Sequence, residues 1–353
     1  MFKDLVVIEL ASVLAGPSVG QFFAELGAEV IKVENKLAGG DVTRKWLVDG
    51  ENPEGGVSAY YSSVNWGKES HFLDITAEED YKKVIEWVKE ADIVISSFKP
   101  GDDKKLKVDF KTLSRINPRL IYGHITGYGK NNAKTGYDAI IQAEAGFMHM
   151  NGEPDGNPIK MPVALVDILA AHHLKEGLLV ELINRERTGK GGYVHVSLFD
   201  AAVSSLANQA TNWLVAGKIP EKMGQEHPNI VPYGRSFKTK DGQLIMLAVG
   251  TDKQFKGLCE ILGIAEIFNN PDYSTNAARV KNRKTIYNIL DKEIARWEIG
   301  SLVEALEARK IPCGRINSMD KVFEMKEAQR MILKDDPKGV VKVGLRNVGF
   351  EGT

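Results

Sequence analysis

The first third of the chain alternates short apolar runs with segments of helical periodicity. The runs at 5–10, 28–34, 92–98 and 119–127 are rich in Val, Ile and Leu and have the length of buried strands. The segment 18–26 has the apolar spacing of a helix, which predicts a β–α–β unit with the first two runs. Repetition of this order predicts an α/β fold with an open, doubly wound, Rossmann-like parallel sheet. Ligands of such sheets bind beyond the carboxyl ends of the strands.

A long helix and a further strand follow this repeat. The helix is predicted from Val163 to about Arg187, and the glycines of RTGKGG suit its C-terminal end. The run YVHVS then predicts a strand, in which His195 is a strand side chain on a partly polar face. A second long helix is predicted after this strand.

The pattern changes after Gly217 and predicts a smaller α+β domain. A hairpin is predicted at 234–250, with Asp241 and Gly242 at its turn, and helices follow through Arg309. We predict four parts of the chain: a large domain at 1–200, a linker at 201–225, a small domain at 226–310, and a linker with a C-terminal segment that returns to the large domain at 311–353.

Composition narrows the class of protein. Apolar residues make up 43% of the 353 residues and charged residues 26%, as in an ordinary globular protein of about two domains. Lys plus Arg (46) nearly equals Asp plus Glu (47), so no overall charge favours binding to nucleic acid or to an anionic membrane. No apolar stretch reaches the roughly 18 residues that would span a bilayer. The two cysteines fit no disulfide framework, and together these features predict a cytoplasmic protein.

One carboxylate interrupts the apolar stretch MPVALVDILA. In a helix, the residues three and four positions from Asp167 include Ala164, Ala170 and Ala171, so the acid shares an apolar face that is normally buried. Burial of an unpaired carboxylate costs several kcal/mol or raises its pKa. A plainer interpretation is that an acid in the first helical turn interacts favourably with the helix dipole. The two interpretations are compatible, because a helix N-terminus can keep a carboxylate ionised inside an apolar pocket. This is the state that a carboxylate nucleophile requires.

Two stretches lie where the predicted crevice would open. LAGP at 14–17 predicts either a tight turn with Pro at the first helical position or an anion site at free N–H groups. Lys99, beside Phe98 at a strand end, would suit a phosphorylated adenine, although a solvated Lys and a packing Phe explain the same pattern. The chain lacks GxGxxG, which disfavours a dinucleotide oxidoreductase, although Glu34 occupies the position that binds a ribose in such folds.

The adjacent residues His172 and His173 do not predict a metal site. On a helix their side chains point about 100° apart, and no third ligand has a suitable spacing. The signatures of serine hydrolases are not convincingly present, so neither a metal nor a Ser–His–Asp nucleophile is predicted.

Ten stretches, taken together, are specific for one enzyme family. They are LAGPSVGQFFAELGAEVIKVE, GGDVTRKW, SVNWGKES, DIVISSFKPG, INPRLIYGHITGYG, GYDAIIQAEAG, VALVDILAA, NRERTGKGGYVHVSLFDAA, HPNIVPYGRSFKTKDG and IPCGRINSMDKV. They run in order through the chain to about residue 322. The chain thereby resembles the family III CoA-transferases, a group that contains formyl-CoA and carnitine CoA-transferases and, as a sister branch, α-methylacyl-CoA racemase.

The resemblance implies that Asp167 is a catalytic nucleophile. In this family an Asp at that position attacks an acyl-CoA thioester and forms a mixed anhydride. The CoA thiolate then converts the anhydride to an aspartyl-CoA thioester, and an acceptor carboxylate completes the exchange through a second anhydride. The implied substrates are an acyl-CoA and a carboxylic acid, with no tightly bound cofactor.

The resemblance also places CoA along the crevice of the first domain. Where relatives often carry Arg after IKVE this chain has Asn35, and Leu14 replaces the Gln of formyl-CoA transferase. The glycine-rich loop of formyl-CoA transferase is also missing, and GQEHPNIVP at 224–232 occupies that region, so we expect a bulkier or less polar acyl group. The implied contacts to adenine and phosphates are Ala15, Leu73, Ser97, Phe98, Lys99 and Lys105, with Tyr137 and Asp138 close to the thioester.

Two alternatives remain open at this point. The racemase branch also uses an Asp at the position of Asp167 but pairs it with His in GHD, where this chain has Tyr137, and a tyrosine hydroxyl is a poor partner for proton shuttling at neutral pH. The other alternative is a catalytically silent CoA-binding or assembly protein. The family architecture implies an interlocked-ring homodimer, with crossings between domains near 200–225 and 310–330.

Overall fold

The computed structural model describes residues 1–55 and 57–349, which divide into two compact units. The units are Met1–Met148 with Lys160–Ile219 and the stretch from Glu327, and His149–Ile159 with Pro220–Lys326. The predicted domain ranges also run across Gly56 and 350–353, which lie outside the described residues. The predicted linkers stay a prediction.

A parallel sheet forms the centre of the first unit. Its strands, within the described residues, are β1 (Val6–Leu10), β2 (Glu29–Asn35), β3 (Glu69–Leu73), β4 (Ile93–Ser96), β5 (Ile121–Thr126) and β6 (Tyr193–Ser197). Their spatial order is β3-β2-β1-β4-β5-β6, and all neighbouring pairs are parallel. In sheets of this order the ligand crevice opens where the order reverses, beside β1 and β4. The predicted α/β class is confirmed.

Helices cover both faces of this sheet. On one face, Phe23 packs with Leu174 in one apolar core. On the other face, Val84 packs with Leu113 in a second core. The helices of the first unit and its edges are α1 (Ala15–Glu25), α2 (Ala59–Ser62), α3 (Glu78–Glu90), α4 (Asp102–Lys105), α5 (Phe110–Ile116), α6 (Asp138–Glu144), α7 (Phe147–Met150), α8 (Leu165–Thr188), α9 (Leu198–Ser204) and α10 (Ala207–Ala216), with 3-10 helices at Lys36–Ala38, Val42–Lys45 and Pro53–Gly55.

Two local predictions differ from the structure, and one strand was not predicted. The second long helix is divided into α9 and α10, and Ala207, the first residue of α10, has a φ of 47°, which lies outside the right-handed helical region. The hydroxyls of Ser204 and Ser205 donate to the carbonyl of Ala201 beside this break. Pro17 is the third residue of α1 rather than the first, where a missing N–H still leaves no helical acceptor unpaired. Strand β3 was not predicted, because its sequence ESHFL is polar and contains no apolar run.

The second unit combines a small antiparallel sheet with helices around its own apolar core. The turn between the first two strands contains Asp241 and Gly242, as predicted, and Gly242 has a φ of 79°, which favours glycine. Phe255, Leu258 and Leu302 are buried in the core. The elements are β7 (Tyr233–Lys238), β8 (Leu244–Ala248), α11 (Asp252–Leu262), α12 (Ala265–Asn269), α13 (Asn276–Lys281), α14 (Arg283–Ile294), α15 (Ile299–Ala308), β9 (Cys313–Arg315) and α16 (Met319–Val322).

The C-terminal stretch packs on α1. The N–H groups of Asn347 and Val348 donate to the carboxylate of Glu25, at 2.7 and 3.2 Å. The side-chain amide of Gln21 donates to the carbonyl of Leu345 at 2.7 Å. One polar face of α1 therefore binds the end of the described chain. The elements of this stretch are α17 (Lys326–Gln329), β10 (Ile332–Lys334) and β11 (Val343–Leu345).

Three charged side chains with no exposed surface lie beside the start of α1. The carboxylate of Glu9 on β1 accepts hydrogen bonds from Lys32 Nζ at 2.8 Å and from Lys68 Nζ at 2.7 Å. Lys32 also donates to the carbonyl of Ala11, and Lys68 donates to the carbonyl of Pro17. Buried charges are costly without partners, so each ammonium group restrains the backbone that it contacts. The connection between β1 and α1 is thereby bound to β2 and to the residue before β3.

Gly20 of α1 allows the helix to approach this cluster. A Cβ at this position would lie 1.9 Å from Oε2 of Glu9 and 3.3 Å from Cε of Lys68. Helix interiors favour Ala over Gly by about 1 kcal/mol, so a glycine here opposes helix propensity. The close approach of the Glu9 carboxylate, which leaves no space for a Cβ, explains why glycine occupies this position.

We expect Gly20→Ala to lower the free energy of unfolding by about 3 kcal/mol, because displacement of a buried, paired carboxylate outweighs the gain in helix propensity. Urea unfolding followed by circular dichroism measures this change. The matched control is Gly257→Ala on α11, where the new Cβ would lie 3.2 Å from a terminal methyl group of Ile311 that can move. Its effect should stay below about 1 kcal/mol. Equal losses in the two variants would contradict the role of the Glu9 cluster.

Candidate active site

A cavity of about 390 Å³ opens at the carboxyl ends of β1, β2, β3 and β4. This is the position at which parallel sheets of this order bind ligands. Its wall is largely apolar, with a few carboxylate and hydroxyl groups, as in most small-molecule sites. The lining residues are 10–12, 33–35, 37–38, 40–42, 73–76, 97–98 and 106.

Three of the eight residues proposed for CoA contact line this cavity, namely Leu73, Ser97 and Phe98. Lys99 follows directly and is exposed. Ala15 is buried at the first position of α1 and does not line the cavity. Of the DIVISSFKPG stretch, Ser97 and Phe98 therefore lie at the cavity, directly after the end of β4.

The remaining predicted contacts are not part of the cavity wall. The ammonium group of Lys105 is exposed and pairs with Asp102 at 2.9 Å. Tyr137 immediately precedes α6 and is 63% exposed, so its ring is free to meet a ligand. Asp138 is the first residue of α6 and lies near Asp167, as described below.

The carboxylate of Glu34 lines the cavity, but its oxygen atoms are already bound. Arg44 binds both oxygens in a fork at 2.7 Å, and the hydroxyl of Tyr61 and the N–H of Asp41 also donate at 2.7 Å. Burial alone would raise the pKa of Glu34, but these donors outweigh it and lower the pKa to about 2. Glu34 therefore supports the wall and has no oxygen left for the ribose contact that dinucleotide oxidoreductases make.

Asp41 connects the cavity wall to the buried lysines. Its carboxylate pairs with Lys32 at 3.1 Å and accepts hydrogen bonds from the N–H groups of Thr43 and Val13. Val13 has a φ of 72°, a conformation that β-branched residues rarely adopt. Such strain persists only where the surroundings enforce it, and here the contact with Asp41 does so at the mouth of the crevice.

Asp167 lies where the sequence pattern places it, on the buried face of α8. It is the third residue of this helix, 9% exposed, and its neighbours Ala170 and Ala171 are buried. Within residues 1–55 and 57–349, the Asp167 carboxylate accepts no hydrogen bond and pairs with no cation. An unpaired, poorly solvated carboxylate of this kind is costly in the folded state.

Burial and a second acid raise the pKa of Asp167 to about 7. Burial is the larger cause, and the negative charge of Asp138 is the second. Asp138 is held in place because it accepts hydrogen bonds from the N–H of Val166 at 2.8 Å and from the side chain of Gln142 at 2.7 Å. Asp138, rather than Asp167, thus satisfies the N-terminus of α8. The direction of this shift agrees with burial of an unpaired acid. A nucleophilic role for Asp167 stays a prediction.

Tyr60 is a further member of the site that the sequence pattern does not mark. Burial raises its pKa to about 12, and the charges of Asp167, Asp138 and Asp41 add to this shift. The hydroxyl therefore stays protonated at neutral pH and can act only as a neutral hydrogen-bond donor or acceptor. Its ring contacts Trp46 edge to face, with centroids 4.9 Å apart. Tyr60 lies on a helix of four residues, which no periodicity predicts. Only the tertiary fold brings Tyr60 within range of the charge of Asp167.

Other kinds of site have little support in the part of the chain that the structure describes. No three His, Cys, Asp or Glu side chains there are arranged to hold a metal ion. Every helix described is too short or too polar to cross a membrane. Cys259 and Cys313 are both free thiols. His195 is half-buried on β6, as predicted for a strand side chain.

These features define a Rossmann-type α/β protein with a crevice beyond its strands and, in the same unit, a buried carboxylate without a partner among the described residues. Asp41 lines the crevice, and the charges of Asp167, Asp138 and Asp41 all add to the raised pKa of Tyr60. An acid with a pKa near neutrality can act as a nucleophile or a base once ionised.

Comparisons with known proteins identify the family. The profile of CoA-transferase family III matches residues 2–351. A succinate–glutarate CoA-transferase of Agrobacterium fabrum is 41% identical over 96% of this chain and 86% of the relative. A mouse succinyl-CoA:glutarate CoA-transferase is 36% identical over 92% of this chain and 73% of the relative. The crystal structure of a CAIB/BAIF family protein from Brucella suis is 41% identical, with a TM-score of 0.86 over 97% of this chain and 90% of that one.

The chain belongs to CoA-transferase family III. The predicted family is therefore confirmed, and the protein is an enzyme of the CoA-transferase class, which uses acyl-CoA as a substrate.

We expect Asp167→Asn to stabilise the folded protein above pH 7. A pKa raised from the unfolded value of about 3.9 means that the native state retains a proton that the unfolded chain releases over this window. The carboxylate therefore lowers the free energy of unfolding progressively up to about pH 7 and by a constant amount above it, by roughly 4 kcal/mol at most. Urea unfolding at pH 5 and pH 8 should show the larger gain at pH 8. The exposed Asp155→Asn serves as control, and a gain that is equal at both pH values would contradict the assignment.

Proposed function

We propose that this protein transfers CoA from an acyl-CoA thioester to a free carboxylic acid, with Asp167 as the nucleophile. The observation that carries the proposal is the buried Asp167 carboxylate, which no hydrogen bond or cation stabilises in the described chain. Poor solvation keeps such an oxygen reactive when it is ionised. The names of the relatives support short dicarboxylic acids, such as succinate and glutarate, as the acids exchanged.

In the proposed mechanism, a carboxylate oxygen of Asp167 attacks the thioester carbonyl and expels the CoA thiolate, which leaves a mixed anhydride. The thiolate then attacks the aspartyl carbonyl, so that the first acid departs and an aspartyl-CoA thioester remains. The acceptor carboxylate attacks this thioester and forms a second anhydride. The released thiolate attacks the new acyl carbonyl, which yields the new acyl-CoA and regenerates Asp167. Each transfer breaks one acyl bond as another forms, without an external reductant or oxidant.

The cavity beyond β1 to β4 suits the nucleotide part of CoA. Its apolar wall would cover an adenine ring, and the exposed Lys99 at its edge provides a positive charge for phosphate. Tyr137 is exposed and adjoins Asp138, which supports a place for both near the thioester. The proposed contacts on the nucleotide side are Ala15, Leu73, Ser97, Phe98, Lys99 and Lys105.

We further propose that two chains form an interlocked homodimer. Trp213, Leu214 and Val215 near the end of α10 are exposed, and α10 has no buried residue. Adjacent exposed apolar side chains of this size favour coverage by a second chain. The scarcity of cysteines, both of which are free, supports a cytoplasmic location.

Neither alternative is favoured by a specific observation. A racemase needs a second base opposite Asp167, and the corresponding residue is the exposed Tyr137. A silent CoA-binding protein would have no reason to retain a buried, unpaired acid. Incubation of a 2-methylacyl-CoA in heavy water distinguishes the racemase, because only a racemase would introduce deuterium at the α-carbon without an acceptor acid.

The first test is covalent trapping of the intermediate. During exchange between succinyl-CoA and glutarate, hydroxylamine should modify the peptide that contains Asp167, because anhydrides and thioesters react with it whereas free carboxylates do not. Asp167→Ala should lower the exchange rate by at least about a thousandfold, since nucleophilic catalysis is lost. Asp155→Ala should retain activity. Full exchange by Asp167→Ala, or labelling confined to another peptide, would refute the nucleophile.

The second test is the pH dependence of kcat/KM. Only ionised Asp167 can attack, so the rate should fall as pH drops through about 7. Asp138→Asn removes the neighbouring negative charge, lowers the pKa of Asp167 and should move this fall to lower pH. The shift should be partial, because burial is the larger cause and remains. Asp138→Glu keeps the charge and is the matched control. An unchanged profile in Asp138→Asn would show that the two acids do not interact.

A further inference from the structure

A buried histidine holds the loop that leaves β4. His124 on β5 pairs in register with Ser96 at the end of β4 and with His195 on β6. It is 3% exposed. Its Nε2 lies 2.9 Å from the carbonyl oxygen of Phe98, and its Nδ1 lies 3.1 Å from the hydroxyl oxygen of Tyr193. Both ring nitrogens are therefore paired.

The carbonyl determines the direction of these hydrogen bonds. A carbonyl oxygen can only accept, so Nε2 of His124 carries a proton and donates to Phe98. In the neutral ring Nδ1 then accepts from the hydroxyl of Tyr193. The result is a directed chain from Tyr193 through the imidazole to the backbone of Phe98. His195 is excluded from it, because its Nε2 bonds the hydroxyl of Thr126 at 2.9 Å.

The backbone at Phe98 belongs to the wall of the crevice. Ser97 and Phe98 line the cavity, and Lys99 follows at its exposed edge. Because the peptide unit is planar and trans, the direction of the Phe98 carbonyl also sets the direction of the N–H of Lys99. That N–H has no acceptor among the described residues, so it remains available to a ligand.

We propose that His124 is a positioning residue for CoA binding, because its Nε2–H orients the peptide unit between Phe98 and Lys99 toward the nucleotide part of CoA. This inference rests on the proposed function. It extends that function to a side chain that does not line the cavity and acts only through the loop.

The proposal separates binding from chemistry. Asp167 is not part of the cavity wall, whereas the loop held by His124 is. Loss of the His124 contact should therefore weaken the binding of CoA without slowing the acyl transfer of bound substrate. A residue needed only for folding would lower stability without this division between KM and kcat.

The experiment compares substitutions that differ in whether they reach the carbonyl of Phe98. Asn at position 124 is too short to donate to it, whereas Gln places an amide near the position of Nε2. We expect His124→Asn to raise KM for acyl-CoA, and the Kd for free CoA measured by calorimetry, about tenfold, as expected for one buried hydrogen bond. The kcat should stay within about twofold, and His124→Gln should restore most of the affinity.

Two further variants keep the proposal testable. His195→Gln changes the neighbouring imidazole of the same ring cluster, whose centroid lies 5.8 Å from that of His124, and should leave KM unchanged. Tyr193→Phe removes the donor to Nδ1 but keeps both rings, and it should raise KM less than His124→Asn. Tyr193→Phe therefore still tests the hydrogen-bonded chain if His124→Asn folds poorly. An unchanged CoA Kd in His124→Asn, equal losses in His195→Gln, or failure of His124→Gln to restore binding would overturn the proposal. Wild-type protein that binds CoA but exchanges none would refute the proposed function alone, because the Kd series would still report on His124.

Discussion

The pairing of the Glu9 carboxylate with two buried lysines is the interaction on which the crevice depends. Lys32 extends this pairing to Asp41, and Asp41 in turn holds the N–H of Val13 in a strained conformation. Gly20 gives the cluster the space it needs against α1. A continuous series of paired charges thus runs from the centre of the sheet to the cavity wall. Since separation of buried charges is costly, displacement of one member of the series would cost free energy at the cavity wall.

The same desolvation has the opposite effect at Asp167, which has no partner. Glu34 is buried with an arginine fork and has its pKa lowered to about 2, whereas burial beside Asp138 raises the pKa of Asp167 to about 7. The environment therefore shifts the pKa values of two carboxylates of the same unit in opposite directions, as expected if one is structural and the other has the proposed catalytic role. When ionised, the unpaired Asp167 carboxylate destabilises the folded state. Such exchange of stability for reactivity is common at active sites.

Sequence patterns predicted the features that depend on local periodicity. The apolar runs correspond to β1, β2, β4, β5 and β6, and the apolar neighbours of Asp167 correctly predicted its burial on α8. Three of the eight residues placed at CoA by resemblance line one cavity. The prediction of one unbroken second helix was wrong, because the backbone at Ala207 has a positive φ that apolar periodicity does not predict. Strand β3 was not predicted, because its polar sequence at the edge of the sheet has no apolar period.

By itself, the sequence determined the order of strands and helices, the family and the one acid placed on an apolar helical face, because each of these is written in neighbouring residues. Only the tertiary structure decided that Asp138 lies beside Asp167, that the charges of both raise the pKa of Tyr60, and that His124 reaches the backbone of Phe98. These interactions join residues from different helices, strands and loops. Their distances follow from the packing of the parallel sheet, and no local spacing of residue types encodes them.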